Sequence, residues 1–554
     1  MMKIVAVVSL ILIASCGPVG IPESDEVKIT ISPTTGNILV AQTVQFIAGV
    51  INSPNRSVAW SLSGAGCGGD ACGTVSDDGL FTAPASVSGR LDVTVTATSM
   101  ADRSKSASAA VTVWQPDLIE WAWISGSDIR FAPGDFGALR VPAPSNSPPG
   151  RRSAEGWLDP AGRLWIFGGE SRKEWGGDGN RNDLWRFDPE SLEWTWMSGD
   201  MDTDRPGVYG IKGVSSPSNA PGARLSARSG SDPEGHLWLF GGQGYDSEGR
   251  YNVLNDLWRF DLDTLEWTWV SGSDVIDQPG VYGTPGVSSP SNVPGARDAS
   301  MSWFDPGGNF WLFGGLGWDS EKHLFLLNDL WKYDTATGEW TWVSGANVIS
   351  QPGVYGTRNV PDPANIPGAR RWSASAIDPL GRLWLFGGHG YPSGTGPGYL
   401  NDLWRFDPAT RLWTWISGSD GHGQIANYGT KGLPDPANVP GARFDAVAWF
   451  DGDGVFWLFG GDGTDDTNHW GTLNDLWKFD PERLEWTWVS GSKTLSQIGV
   501  YGTQGQPDAN NIPGSRYAAL SWLDAQGRLW LFGGSAIDSL GAGGYMNDLW
   551  RYIR

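Results

Sequence analysis

Residues 239–242 read Leu-Phe-Gly-Gly, and this stretch recurs through most of the chain at a constant interval. Its glycine pairs begin at residues 168, 241, 314, 387, 460 and 533, each 73 residues after the one before; the first copy has Ile in place of Leu. The motif Asn-Asp-Leu-Trp keeps the same interval and begins at Asn182, Asn255, Asn328, Asn401, Asn474 and Asn547. Six copies without an insertion predict an array in which one supersecondary unit is repeated.

Each period contains four strand signals. In the second copy, residues 237–240 are an apolar run that ends at the glycine pair, and residues 256–260 read Asp-Leu-Trp-Arg-Phe, a further strand signal. Residues 266–270 read Glu-Trp-Thr-Trp-Val, an alternation that places both tryptophans on one face of a strand. A further strand follows an arginine that recurs with the period. Four antiparallel strands in each of six units predict an all-β fold, a β-propeller.

The glycine pair of the second strand, the aromatic residue of the third and the tryptophan of the fourth resemble the kelch repeat. The resemblance covers residues 117–554 and implies a six-bladed, galactose-oxidase-like β-propeller. Kelch repeats have about 50 residues, whereas these have 73. Most of the excess lies between the fourth strand and the next first strand, as in residues 271–294.

The two ends of the array are complementary. The sixth unit reaches Arg554 after its third strand, without a fourth strand signal. The corresponding sequence occurs at the start of the array, where residues 120–126 read Glu-Trp-Ala-Trp-Ile-Ser-Gly. We therefore expect this segment to complete the last blade in a three-plus-one closure, which removes the open edges of the array.

The N-terminus resembles the signal of bacterial lipoproteins. Lys3 precedes an apolar run over residues 4–14, which is too short to span a bilayer. Ile-Ala-Ser then leads to Cys16, the position that is lipidated in such signals. We predict a signal peptide over residues 1–15 and a linker over 16–26, in an outer-membrane lipoprotein of the cell envelope that faces the periplasm or the cell surface. An ordinary signal peptide with an incidental cysteine is the alternative.

Residues 27–113 have a different pattern of short alternating strands, with Trp60 in a central one. The sequence Gly-Leu-Phe-Thr-Ala-Pro at residues 79–84 is similar to bacterial Ig-like domains, and the resemblance implies a β-sandwich spacer. Cys67 and Cys72 lie close together in this region. In an exported protein we expect them to form a disulfide, because two thiols without a nearby histidine make a poor zinc site.

The composition limits the partners and the chemistry. Asp and Glu outnumber Lys and Arg by 61 to 39, which gives a net charge of -22. This charge repels nucleic acid and anionic lipid, so we expect contact with a membrane through the lipid anchor alone. Residues 117–554 contain no cysteine, so the tyrosine–cysteine copper site of galactose oxidase cannot form there. We expect no cofactor.

The long connections of the repeat are predicted to share one face of the ring. The two-to-three loops have twelve residues and differ from copy to copy, and binding residues commonly lie on long loops of a rigid scaffold. Their aromatic, acidic and histidine side chains suit stacking on a sugar ring and bonding to its hydroxyls. The candidates are Trp175, Trp318, Trp470, His323, His389, His469, Asp465 and Asp466.

Other interpretations of these loops stay open. The two-to-three loops could fold over the rim without a ligand, and a metal site is disfavoured because one histidine per loop is not a ligand spacing. The four-to-one loops repeat an aromatic position whose regularity favours loop packing over ligand contact. Its members are Phe136, Tyr209, Tyr282, Tyr355, Tyr428 and Tyr501.

One arginine recurs at the start of each first strand, and one aspartate opens each third strand near the same rim. Ion pairs between them are the favoured interpretation, and a channel-rim site for a carboxylate-bearing ligand is the alternative. These arginines are Arg151, Arg224, Arg297, Arg370, Arg443 and Arg516.

Together the patterns favour a binding or scaffolding module that recognises a glycan or a protein through the long-loop face. A carbohydrate-active enzyme that uses rim carboxylates is the alternative, and an assembly scaffold without a small ligand is a third possibility. The sequence has no Gly-x-Ser-x-Gly elbow, His-Glu-x-x-His motif or phosphate-binding loop.

Overall fold

A computed structural model of the protein describes residues 26–117, 119–173, 176–394 and 396–553. The chain divides into two compact units, Met1–Pro116 and Asp117–Arg554. The predicted signal peptide with Cys16, and the candidate Trp175, lie outside the described residues. Within the described ranges, no helix has the length and apolar character required to cross a bilayer.

The first unit is built from short strands around its own apolar core. Strand alternation buries Val93 and Val95 on one face of a long strand, against Phe46 and Phe81. Cys67 and Cys72 are joined by a disulfide, next to a turn of 3-10 helix at Gly69–Cys72. The Ig-like character of this unit stays a prediction.

Its strands form a sheet in the order β2-β9-β8-β5, in which β2 and β9 are parallel, with two smaller sheets, β1-β4 and β3-β7-β6. Their bounds are β1 (Lys28–Ser32), β2 (Thr35–Leu39), β3 (Thr43–Gln45), β4 (Ile47–Ile51), β5 (Val58–Ser63), β6 (Thr74–Val75), β7 (Leu80–Thr82), β8 (Arg90–Ser99) and β9 (Ser106–Trp114).

In the second unit, the strands of the described residues pair antiparallel in six groups with the same order, each with a short inner strand that begins at the recurring arginine; in the first and fifth groups the inner strand belongs to a separate three-stranded sheet. We call each such group of strands a blade. Blade one contains β11 (Arg151–Arg152), β12 (Glu155–Leu158), β13 (Leu164–Phe167), β14 (Glu170–Arg172), β15 (Asp178–Asn180), β16 (Leu184–Asp188) and β17 (Glu193–Ser198). Blade two contains β18 (Ser215–Ser216), β19 (Arg224–Leu225), β20 (Arg228–Ser231), β21 (Leu237–Tyr245), β22 (Tyr251–Asp261) and β23 (Glu266–Ser271).

The other four blades repeat this plan. Blade three contains β24 (Ser288–Ser289), β25 (Arg297–Asp298), β26 (Met301–Phe304), β27 (Asn309–Trp318), β28 (Leu324–Asp334) and β29 (Glu339–Ser344). Blade four contains β30 (Arg370–Arg371), β31 (Ala374–Ile377), β32 (Leu383–Gly390), β33 (Gly398–Asp407) and β34 (Leu412–Ser417). Blade five contains β35 (Arg443–Phe444), β36 (Val447–Phe450), β37 (Phe456–Phe459), β38 (Asp462–Thr464), β39 (Trp470–Thr472), β40 (Leu476–Asp480) and β41 (Glu485–Ser490). Blade six contains β42 (Arg516–Tyr517), β43 (Leu520–Leu523), β44 (Leu529–Ile537), β45 (Gly543–Ile553) and, from the start of the unit, β10 (Glu120–Ser125).

The connections between second and third strands are extended hairpins, which corrects the prediction of twelve-residue loops. In blade two, β21 continues past the glycine pair and pairs with β22 as far as Tyr245 and Tyr251. The register shifts between Phe240 and Gly242, where Gly242 has a φ of +94°. A glycine bulge of this kind lets a strand bend and then resume its pairing.

Aromatic side chains fill the space between neighbouring blades. The ring of Trp165 lies 5.8 Å from that of Phe260 in the next blade. The same contact joins blade six to blade one, where Trp530 lies 5.8 Å from Phe187. Each buried tryptophan removes roughly 150–250 Å² of surface from water, so these contacts hold adjacent blades together around the whole ring.

A closed circle of backbone hydrogen bonds surrounds the axis. Each bond runs from the amide of one inner strand to the carbonyl of the preceding blade, at 2.9–3.0 Å, and the last residue of the circle bonds to the first. The six residues share a positive φ, between +49° and +58°. They are Ser153, Ser226, Ala299, Trp372, Asp445 and Ala518. The second unit is therefore a β-propeller whose first strands are innermost.

The first strand of the unit completes the last blade. β10 pairs antiparallel with β45, with Trp121 opposite Tyr552 and Trp123 opposite Trp550. Trp121 is 1% exposed, and its ring lies 5.4 Å from that of Tyr552. This strand therefore occupies the position that the fourth strand has in the other blades.

Candidate ligand-binding site

The six recurring arginines are internal to the blades. In blade three, Arg297 donates hydrogen bonds to both carboxylate oxygens of Asp329, at 2.7 and 2.8 Å, and another to the carbonyl of Gly314. Both charged side chains are 0% exposed. The equivalent pairs are Arg151–Asp183, Arg224–Asp256, Arg370–Asp402, Arg443–Asp475 and Arg516–Asp548. As a correction, these arginines are not exposed at the channel rim and offer no open surface to a carboxylate ligand.

The tyrosines of the four-to-one connections are also internal. The hydroxyl of Tyr282 donates to Asp329 at 2.6 Å, and its ring packs 4.8 Å from that of Trp331. Four more tyrosines repeat this bond, namely Tyr209, Tyr355, Tyr428 and Tyr501. Phe136 holds the position in blade one and has no hydroxyl to donate.

Two positions per blade break the regularity of the repeats, and they face each other across the inner strands. One follows the recurring arginine and the other follows the glycine pair. The residue types at both positions differ between the blades, so this end of the inner strands varies around the axis. The cross-strand pairs, which we call the inner mouth, are Arg152–Glu170, Leu225–Gln243, Asp298–Leu316, Arg371–His389, Phe444–Asp462 and Tyr517–Ser535.

Aromatic rings lie in and beside the inner mouth at blades four and five. Phe444 stacks on Trp470, with ring centroids 6.0 Å apart and planes 17° apart, and Tyr399 lies 4.0 Å from Trp470. The ring of Trp372 lies 5.2 Å from that of Phe444. Trp470 remains 40% exposed. Trp470 is therefore an aromatic platform that is partly open to solvent.

A charged and hydroxyl-bearing group continues the inner mouth at blades six and one. Arg152 bonds to Glu170 at 2.7 Å and to the hydroxyl of Tyr517 at 3.0 Å. The hydroxyl of Tyr545 donates to Glu170 at 2.9 Å. Although burial opposes its charge, the neighbouring Glu170 carboxylate raises the pKa of Arg152. The aromatic platform is thus bordered by fixed donors and acceptors.

Four buried polar atoms at the inner mouth have no hydrogen-bond partner among the described residues. They are Asp298 Oδ1, Arg371 Nε, His389 Nδ1 and Asp462 Oδ1. Burial raises the pKa of Asp298 and of Asp462 to about 6 in each case, and burial, followed by the charge of Arg371, lowers the pKa of His389. Buried polar groups in folded proteins are nearly always bonded, so these atoms have capacity for a bound molecule.

The channel below the inner mouth contains further acids. Glu155 is 6% exposed, and its Oε1 lies 3.4 Å from Nη1 of Arg228. Burial raises the pKa of Glu155 to about 7, against the attraction of Arg228. Burial likewise raises the pKa of Asp445 to about 7. These side chains line a cavity of about 270 Å³ between the first strands of all six blades.

Of the residues predicted from the loops, the inner mouth contains His389 and is bordered by Trp470. Trp318 lies in blade three, where its Nε1 donates to Asp277 at 2.9 Å. His323 is largely exposed, with Nδ1 3.4 Å from Asp319. No ring contact among the described residues joins Trp318 to the aromatic platform. The predicted set therefore does not form one site.

The remaining candidates stand in the hairpin of blade five. Asp465 accepts hydrogen bonds from the amides of Thr467 and His469 at 2.8 and 2.9 Å and thereby stabilises the turn. His469 is largely exposed and bonds to the hydroxyl of Thr467 at 2.7 Å. Asp466 forms an ion pair with Lys493 at 3.0 Å.

Several residues of the site were missed in the sequence, including Arg152, Arg371, Phe444 and Tyr517. They follow the recurring arginine directly and lie in a short strand rather than in a long loop. A comparison of the six copies position by position would have found them, because the period aligns them without gaps. In the described part of the chain, no three His, Cys, Asp or Glu side chains are grouped so that they could hold a metal ion.

Fold and site together define an all-β protein with a β-propeller whose blades share one frame and differ at one end of the axis. No family model matches the chain. Similar solved structures include YjhT, with 14% identity over 73% of this chain and 95% of that one, at a TM-score of 0.42. A fungal alcohol oxidase of the AA5 family, in complex with copper, has 12% identity over 75% of this chain and 76% of that one, at a TM-score of 0.41. A quinoprotein alcohol dehydrogenase-like protein from Bacteroides thetaiotaomicron has 9% identity over 93% and 94%, at a TM-score of 0.30.

Proposed function

We propose that the propeller is a binding module that takes a glycan at the inner mouth. The observation that carries this proposal is the group of unpartnered polar atoms beside the exposed ring of Trp470. Sugars present an apolar face suited to stacking on an aromatic ring and hydroxyls that both donate and accept hydrogen bonds. The inner mouth offers both kinds of contact within one surface.

The chemistry of the unpartnered atoms fits a neutral polyhydroxyl ligand. Arg371 Nε donates, and the carboxylate oxygens of Asp298 and Asp462 accept, so a ligand must supply both roles. A cation could bind the two carboxylate oxygens but not Arg371 Nε, and a simple anion could bind Arg371 Nε but not the carboxylate oxygens. Hydroxyl groups satisfy all of them, because each can donate one bond and accept others.

A glycan array probed with the purified protein tests the proposal. We expect binding to a restricted set of glycans, and loss of that binding in Arg371→Leu, which removes a donor without touching the buried ion pairs of the blades. Absence of binding to every glycan would contradict the proposal and favour a protein ligand for the same face.

Glu155 and Asp445 support a second candidate function, a carbohydrate-active enzyme. Carboxyl groups whose pKa lies near 7 can act as general acids at neutral pH, and both line the cavity below the inner mouth. Each glycan that binds on the array would be incubated with the protein in solution, and the mixture would be analysed for cleavage products of the glycan. Turnover that is lost in Asp445→Asn, with binding unchanged, would establish the enzyme in place of the binding module.

We also propose that the chain is anchored in the cell envelope through Cys16, with the propeller outside the cytoplasm. The lipoprotein-like signal of residues 1–16 supports this, and a disulfide between Cys67 and Cys72 suits an oxidising compartment. In fractionated cells, Cys16→Ser should move the protein from the membrane to the soluble fraction. A Cys16→Ser protein that stays in the membrane fraction would contradict the anchor.

A further inference from the structure

Blade one departs from the other five blades beside a large cavity. Arg181 stands at a position where the other blades have fully buried apolar side chains, namely Leu254, Leu327, Leu400, Leu473 and Met546. Ser171 replaces four glycines and an alanine at a neighbouring position, and Phe136 replaces the five bonded tyrosines. Because the other five blades fold without these residues, the blade architecture does not require them.

Arg181 is buried but only partly bonded. It is 7% exposed; its Nε donates to the hydroxyl of Ser171 at 2.5 Å, and its Nη1 donates to the carbonyl of Met201 at 3.0 Å. Within the described residues, no carboxylate forms an ion pair with it, and its Nη2 makes no hydrogen bond. Burial lowers the pKa of Arg181, against the attraction of the carboxylates of Asp183, Asp202 and Asp204.

The guanidinium of Arg181 borders a cavity of about 970 Å³. Phe131, Pro133 and Phe136 supply an apolar wall. The other cations of the wall already have acidic partners, since Lys173 pairs with Asp204 at 2.7 Å. Arg205 pairs with Asp200 at 3.1 Å, and Arg172 lies 3.6 Å from Asp178. Among the described residues, Arg181 is therefore the cation of this wall that forms no direct ion pair.

We propose that this cavity is a second binding site, separate from the inner mouth, for a small organic carboxylate with an apolar body. The planar guanidinium offers parallel donors that match the two oxygens of a carboxylate. The apolar wall beside it would remove the body of the ligand from water. One guanidinium without a direct ion pair matches a monoanion better than a phosphate, which carries more charge.

Titration calorimetry of the full chain tests the site with benzoate as the probe, and with benzamide, inorganic phosphate and sulfate for comparison. We expect benzoate to bind and benzamide, its neutral counterpart, to bind at least about tenfold more weakly. Binding of phosphate or sulfate in preference to benzoate would overturn the proposed ligand class. No binding of any probe at millimolar concentration would overturn the site.

A double variant, Arg181→Leu with Ser171→Gly, restores the residues that the other blades use, so we expect it to fold with an unchanged or higher thermal midpoint. Its affinity for benzoate should fall about ten- to a hundredfold, as for the loss of a charge-assisted hydrogen-bond pair. Arg172→Leu is the matched control, because Arg172 lies on the same wall beside Asp178; it should change the affinity less than about threefold. If benzoate binds the double variant as well as it binds the wild type, Arg181 is structural and the proposal is wrong.

Discussion

The aspartate of each Asn-Asp-Leu-Trp motif is the hydrogen-bonding centre of its blade. Asp329 accepts bonds from Arg297, Trp331 and Tyr282 in a fully buried position. Asp329→Ala would leave a buried guanidinium without its partner, so we expect the free energy of unfolding to fall by about 3–5 kcal/mol. Urea denaturation measures this change.

Tyr282→Phe is the control for that variant. Blade one folds with Phe136 at the equivalent position, so the loss of one hydroxyl should cost about 1 kcal/mol. Equal losses in the two variants would show that the ion pair does not dominate the network.

The buried acid Glu155 gives the stability of the protein a pH dependence. Burial raises its pKa from 4.5 to about 7, so the folded state binds a proton more tightly than the unfolded state. Its contribution to stability is therefore full below about pH 4.5 and is lost as the pH rises through 7. Glu155→Gln should increase the free energy of unfolding at pH 8 by up to about 3 kcal/mol and leave it unchanged at pH 4.

Thermal and urea unfolding at both pH values check this result. Glu190→Gln, the same chemical change at an exposed turn of blade one, should have no effect at either pH. A loss of stability at pH 8 in Glu155→Gln would mean that the ion pair with Arg228 outweighs the burial of the charge.

At the residue scale, the sequence predicts the constant side chains better than the variable ones. The recurring arginines and aspartates could be expected to pair because both recur with one period near one rim. The inner mouth could not be located in the same way, because side chains such as Asp298 and Arg371 acquire a shared environment only when six strands meet at the axis. The sequence predicted His389 and Trp470 because their residue types suit contact with a sugar, but it did not predict which residues surround them.

At the scale of the strand, the glycine pair controls where the hairpin begins. A Cβ at Gly242 would lie 2.8 Å from the backbone atoms Ala227 N and Leu225 O, and φ there is +94°. We expect Gly242→Ala to lower the free energy of unfolding by about 3 kcal/mol. Gly249, at the hairpin tip with a φ of +73° and no atom within 4 Å of its Cβ position, is the control.

Gly249→Ala has the same backbone penalty without the clash, so it should cost about 1 kcal/mol. The difference between the two variants, measured by urea denaturation, isolates the close approach of the inner strand. Similar losses in both would contradict a role for that approach.

The strands of each sheet could be predicted because their alternation and their terminal glycines are local signals. The extended hairpins could not, because residues 243–254 are too polar and variable to give a strand pattern by themselves. Their pairing depends on the register shift at Gly242, which brings Gln243 opposite Val253. The hairpin therefore forms because the sheet to which it is attached sets the register of its two strands.

At the scale of the whole propeller, the ring is closed by β10. Its residues pair with β45, so its amides should exchange hydrogen as slowly as those of β23, a fourth strand within blade two. Hydrogen–deuterium exchange with mass spectrometry measures both segments. Removal of residues 543–554 should make β10 exchange rapidly, and rapid exchange of β10 in the intact chain would contradict the closure.

The constant frame and the variable axis have different roles in the molecule. Six blades held by the same ion pairs, tryptophans and backbone circle form a rigid support. The variable side chains of the inner strands surround the axis, where a ligand can reach several blades at once. Binding at the inner mouth is therefore expected to leave the blades unchanged.

The direct test compares two tryptophans. Trp470 forms the partly exposed platform. Trp318 lies in blade three, where its Nε1 donates to Asp277, and it makes no described ring contact with the platform. The dissociation constant of a glycan selected on the array should rise about ten- to a hundredfold in Trp470→Ala, as for the loss of an aromatic stacking contact, and stay within about twofold of the wild type in Trp318→Ala. Unchanged affinity in Trp470→Ala, with a loss in Trp318→Ala, would contradict binding at the inner mouth.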